Sequence, residues 1–215
     1  MRSDLPGGKA ALTAQLLGPD DYKVMPWKNG LGTTTEIAIH PPDAGLATAP
    51  FDWRVSLADV MADGDFSRFP GYDRSILVAE GAGMELGFDS APPARLAGLG
   101  AMTSFSGDWY TRSRLLDGPV RDFNVMSARG RVEHLCIPIM GNHVEFVWDP
   151  RRETLLCYSI QGNLVLKMRD SAEWGIEAGR AVLLPAVEAG PAGASLIVMP
   201  HTRETLGAVV RFTYL

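Results

Sequence analysis

The chain has 215 residues, a formal net charge of −5 and a pI near 5.4; 46% of its residues are hydrophobic and 21% charged. That length holds one large domain or two small ones around a real core, and the balance excludes a disordered or fibrous chain. There is no basic footprint for nucleic acid, and no apolar run nears the ~18 residues that a membrane-spanning helix needs.

Residues 1–10 read as a loose end. The opening MRSDLPGGKAALTAQLLG lacks the apolar stretch of a signal peptide, so a cytoplasmic protein is expected. Strand-like segments follow at 12–17, 33–39, 52–58, 75–80, 83–88 and 101–106, and then at 132–139, 143–148, 155–160, 163–168, 181–184, 195–199 and 207–214. Only 54–63, RVSLADVMAD, offers a helix candidate, and its start alternates like a strand. Turn signals every 8–12 residues or so predict an all-β barrel or sandwich rather than βαβ units. Cys136 and Cys157 are too few for a disulfide framework and read as free thiols.

A faint internal repeat divides the chain. ILVAEGAGMELGF (76–88) with GLGAMTSFSGDW (98–109) parallels LLCYSIQGNLVLKM (155–168) with WGIEAGRAVLLPA (174–186). Gly81 and Gly162 supply the tight turns. The reading is a single bicupin unit of two jelly-roll halves, 12–126 and 127–215. Gly179 and Pro185 keep the spacing of the second cupin motif, but Gly190 stands at its histidine. The first motif, laid from Gly64 to Gly83, puts Pro70, Tyr72 and Ile76 at its ligand positions. The cupin geometry is present and its metal ligands are missing.

The remaining chemistry is sparse. His40, His134, His143 and His201 form no metal-ligand spacing; His143 and Glu145 share a strand face with His134 nearby, a weak set, and no metal or cofactor is expected. There is no Gly-x-Ser-x-Gly and no cysteine–histidine signature. KNGLGTTTE (28–36) and EGAGMELG (80–87) carry Gly-x-Gly, but Thr35 and Leu86 stand where a dinucleotide fingerprint needs its third glycine, so these read as turns.

Polar residues on otherwise apolar strands are more informative. In 33–39, Thr34, Glu36 and Ala38 share one face; in 51–58, Asp52, Arg54, Ser56 and Ala58 do; in 121–126, Asp122, Asn124 and Met126 do. Arg74 opens 74–80. On one barrel, Glu36, Arg54, Ser56, Arg74, Asp122 and Asn124 could point into one mouth, where arginine binds carboxylate. By periodicity alone they read equally as solvent faces.

MPWKNGLGTTTE (25–36), FDWRVSLADV (51–60), GDFSRFPGYDR (64–74), EGAGMEL (80–86), FSGD (105–108) and DGPVRDFNVM (117–126) together resemble the HutD/Ves family. The resemblance implies a two-barrel cupin-like fold without the usual metal ligands. It also implies a bacterial protein linked to histidine utilisation that senses urocanate or a formyl- or formimino-glutamate and restrains the pathway. Carried onto matching positions, the ligand-binding set is Asn29, Thr33, Thr35, Glu36, Arg54, Ser56, Arg74, Asp122 and Asn124. Thr35 lies on the strand face opposite Glu36. Trp27 and Trp53 are stacking candidates for a flat ligand or core residues. The expected partner is a small anionic metabolite, with no nucleic acid and no membrane. Two alternatives stay open. One is a metal-independent enzyme on a small carboxylic acid with Glu36 or Asp122 as general base. The other is an interaction protein or homodimer joined through sheet edges.

Overall fold

The computed structural model describes residues 13–27, 30, 32–45, 50–169, 172–187 and 193–215. Two compact units emerge. One runs from Tyr22 to Val132; the other joins Glu133–Leu215 to the described residues up to Asp21. The expected boundary after residue 126 falls inside a strand, and the first strand pairs with the second unit rather than the first barrel. Backbone pairing decides this: Gln15 to Leu17 lie antiparallel to Leu183 to Ala181.

In chain order the strands are β1 Gln15–Leu17, β2 Lys23–Pro26, β3 Gly32–His40, β4 Trp53–Val60, β5 Gly64–Phe66, β6 Tyr72–Glu80, β7 Gly83–Phe88, β8 Ala94–Ala97, β9 Met102–Ser106, β10 Thr111–Leu115 and β11 Val120–Ala128. There follow β12 Val132–Met140, β13 Val144–Trp148, β14 Glu153–Gln161, β15 Leu164–Met168, β16 Glu173–Ile176, β17 Ala181–Leu184, β18 Ala194–Pro200 and β19 Leu206–Tyr214. Among the described residues the only helical piece is the 3₁₀ turn Pro19–Asp21, and no helix is long and apolar enough to cross a membrane. The 54–63 helix candidate is strand through Val60, because its alternation, Val55, Leu57 against Arg54, Ser56, fits a pleated sheet. The sequence pattern passed over β2, β5, β8 and β10, which are three to five residues long and too short for alternation to show.

In the first unit a six-stranded sheet, β2-β3-β4-β11-β6-β9, is joined by a four-stranded sheet, β5-β10-β7-β8. The second unit repeats the plan with β1-β17-β14-β19-β12 and β13-β18-β15-β16. This is the all-β cupin fold that the turn spacing predicts. Gly81 and Gly162 both sit at positive φ, 94° and 73°, in the hairpin turns where the repeat places them. A Cβ on Gly81 would approach the Pro119 carbonyl to 2.5 Å, so side chains are excluded there by space as well as by φ.

Each unit has its own apolar core. Ile76, Val78, Met84, Leu86, Leu96, Phe105 and Val120 form that of the first. In the second, Trp148, Leu155, Cys157, Leu164, Leu166, Val182, Leu196, Val198 and Val209 pack together, all fully buried. Removing this much apolar surface from water, at about 25 cal/mol per Å², is the main force holding the sheets face to face.

Candidate functional site

Register explains how the polar side chains of the first unit come together. β11 lies between β4 and β6, and its inward residues define three rows across the sheet. Arg54, Met126 and Arg74 form one row; Ser56, Asn124 and Ile76 the next; Ala58, Asp122 and Val78 the third. On the far side of β4, Glu36 pairs with Ser56 and Thr34 with Ala58. The strand period of two therefore puts two guanidiniums, a carboxylate, an amide and two hydroxyls on one surface.

That surface lines a cavity of about 520 Å³. Arg54, Ser56, Ala58, Arg74, Asp122, Asn124 and Met126 form its floor. Met25, Pro26, Trp27 and Thr34 close one side, and the segment around β5, with Asp65, Phe66, Ser67 and Phe69, closes the other. The floor residues are not a solvent face. Arg54 is 4% exposed, Arg74 5% and Asp122 0%.

The two arginines are held differently. Arg54 Nε donates to Glu36 Oε2 at 2.6 Å, an ion pair almost wholly out of water. Arg74 Nη1 donates to the Ser67 carbonyl at 3.2 Å, and its guanidinium lies 5.0–5.7 Å from the ring centres of Phe66, Phe69 and Phe105. Burial lowers Arg74 to about 10, which leaves it charged at neutral pH; nearby Asp122 opposes the shift and Arg54 adds to it. Burial pushes the Asp122 carboxyl the other way, up to about 7, against the attraction of Arg74. The Asn124 amide also favours the charged form without completing a hydrogen bond to either carboxylate oxygen.

Unmet hydrogen-bonding capacity gathers here. Six buried side-chain polar atoms among the described residues lack a partner, and five are in this cavity: Arg54 Nη2, Arg74 Nε, both oxygens of Asp122 and Asn124 Oδ1. An orphaned buried polar group costs about 1–3 kcal/mol, more if charged, so such a concentration marks a place built for something else to satisfy it.

The structure sorts the candidate residues. Arg54, Ser56, Arg74, Asp122 and Asn124 line the cavity, and Glu36 borders it through Arg54. Thr33 and Thr35 do not line it. They stand on the opposite face of β3, where Thr33 Oγ1 donates to Asp59 at 2.7 Å. Thr34 takes the inward place and accepts a 2.8 Å hydrogen bond from Trp27 Nε1. Asn29 lies outside the described residues. The expected sharing of a face by Thr34, Glu36 and Ala38 ends at Glu36. A bulge between Glu36 and Ala38 flips the alternation, so that Ile39, not Ala38, pairs with Arg54. Trp27 borders the cavity, whereas Trp53 is buried elsewhere, stacked on His40. Sequence reasoning missed Asp65, Phe66, Ser67 and Phe69 as walls. Their only signal was their place in the GDFSRFPGYDR motif.

Among the described residues no three His, Cys, Asp or Glu side chains group as a ligand set. Glu145 is engaged by Arg169 and Ser195, and His134 lies against Phe212. The cupin ligand position at Ile76 is filled by a fully buried aliphatic side chain.

Fold and cavity together define a cupin-fold protein whose interior carries arginines and a carboxylate in place of a metal-ligand set. The chain belongs to the HutD family, whose model matches residues 19–191. It is 44% identical over 117 residues to an uncharacterised 21.2 kDa protein from the hutC 3′ region of Pseudomonas putida, a match covering 54% of this chain and 60% of that one. It is 36% identical over 111 residues to protein Ves of Escherichia fergusonii, covering 50% of this chain and 56% of that one. The matches thus span less than two thirds of these curated relatives. Among solved structures, a conserved protein of unknown function from Pseudomonas aeruginosa PAO1 aligns at TM-score 0.78 and 30% identity, over 94% of this chain and 99% of the other. HutD from Pseudomonas fluorescens SBW25, in a formate condition, aligns at 0.75 and 30% over the same shares. The E. coli protein YlbA, at 0.62 and 10% over 94% of this chain and 90% of its own, shares the fold.

Proposed function

We propose that the first-unit cavity binds a small carboxylate of histidine degradation, urocanate or a formyl- or formimino-glutamate, and that the protein restrains that pathway in response. In this reading the two units are the two barrels of a bicupin. Arg54 and Arg74 anchor the anion, and Ser56, Asn124 and Thr34 orient it. The observation that carries the reading is the pair of buried guanidiniums, each with an unpartnered N–H in one cavity. Membership of the HutD family and the relative from a hutC region support the link to histidine utilisation. Calorimetric titration with urocanate and formylglutamate tests it. Arg54→Ala should weaken binding by at least ~10-fold, the loss of one charge-assisted hydrogen bond, with the strand signature of the fold retained. Unchanged affinity in that variant removes the assignment.

A second reading is favoured by one specific feature. A buried carboxyl near neutral pKa, as Asp122 has, suits a general base acting on a bound acid. Glu36 suits that task less, since Arg54 already occupies it. Turnover of a pathway intermediate, abolished in Asp122→Asn, would support this reading. Absence of turnover across the set would sink it.

A further inference from the structure

We propose that this site binds its carboxylate together with a proton, which comes to rest on Asp122. The inference rests on the carboxylate reading above and adds a condition to it.

An aspartate is an unexpected neighbour for an anion. Asp122 is 0% exposed, and neither of its oxygens has a hydrogen-bond partner. Its strand neighbour Asn124 also has an unpartnered acceptor oxygen, whereas the unpartnered donors, Arg54 Nη2 and Arg74 Nε, lie one and two rows away. With the cavity empty, Arg74 provides the charge that partly offsets ionised Asp122. A ligand carboxylate at the guanidiniums takes over that charge. It leaves two anions in a space with little water, and one of them must then be neutral. A protonated Asp122 solves this and gains an O–H that can donate to the ligand.

The charged groups around Asp122 agree. Arg54 and Asp59 come from β4, Arg74 from β6, Asp65 from β5 and Glu36 from β3. Arg74 stays protonated at neutral pH, Asp59 adds repulsion that favours neutral Asp122, and Glu36 already occupies Arg54 Nε. No histidine stands among the described lining residues to titrate in Asp122's place. The free carboxyl, pushed up to about 7, is poised for the exchange. The proton is drawn from the buffer, so binding of one carboxylate takes up close to one proton above neutrality.

Formate is the probe, since it is anionic over the whole range and brings no N–H donor. Its binding to the full chain is followed by protein NMR from pH 6 to 8.5, and proton uptake by calorimetry in two buffers of different ionisation enthalpy. Affinity should fall by about 30-fold across that range if only the protonated form of a group titrating near 7 binds. Asp122→Asn should bind formate at pH 8.5 as the parent does at pH 6, and take up no proton. A flat affinity with no proton uptake in the parent overturns the proton coupling and leaves the carboxylate reading standing. A variant profile as steep as the parent's also overturns it. If the variant does not fold, proton uptake by the parent decides. No formate binding at any pH overturns both readings.

Discussion

The interiors of the two units answer the same architectural problem in opposite ways. Each has a central inward-facing strand between two partners: β11 between β4 and β6, and β14 between β17 and β19. β14 offers Leu155 and Cys157 to a core of aliphatic side chains and Trp148. β11 offers Asp122, Asn124 and Met126 to a cavity edged by two arginines. The second unit shows that this fold needs no inward charge. The inward polar rows of the first unit therefore cost stability, and such costs persist where function requires them.

The largest effect should come from making the second interior resemble the first. Cys157→Asp places a carboxylate, with no arginine in its cluster, among Leu155, Val182 and Val209. A loss of more than about 4 kcal/mol is expected, read by urea denaturation. A loss under about 1 kcal/mol would mean that this interior tolerates charge as the first one does.

The converse change should stabilise. Folded Asp122 titrates near 7, above the ordinary 3.8 of an unfolded chain. The folded state thus holds a proton that the unfolded state has already lost, and stability falls as pH rises from about 4 to about 7. The total is on the order of 4 kcal/mol. Asp122→Asn should abolish that slope and be the more stable protein at pH 8 without ligand. Parallel stability curves at pH 5 and pH 8 for the two proteins would refute it.

The smallest effect sharpens the comparison within a single strand. Thr34→Val should weaken formate binding by about 5-fold, the value of one hydrogen bond, while Thr33→Val should leave it unchanged, because Thr33 faces Asp59. Equal losses in both variants would break the face assignment.

Part of this site was legible because a strand has a period of two. Arg54, Ser56, Asp122 and Asn124 share faces that any reader of the sequence can draw, and the structure places them together. The same parity pointed to Thr34, although the family motif drew attention to Thr33 and Thr35. It failed at Ala38, because a bulge is one extra residue that no local pattern announces. Nor could it reveal that residues 65–69 cover the cavity, since that contact comes from β5 pairing with β10 more than forty residues later.

By itself, the sequence determined the all-β class, the turn positions at Gly81 and Gly162, the family, and which side chains share a strand face. These follow from local propensity, glycine's access to positive φ, and alternation. Only the tertiary structure decided that Arg54, Arg74 and Asp122 are buried together rather than spread over a wet sheet face, and that β1 completes the second unit. Burial and pairing depend on residues distant in the chain, and the charge state of a buried group depends on every neighbour that replaces its water.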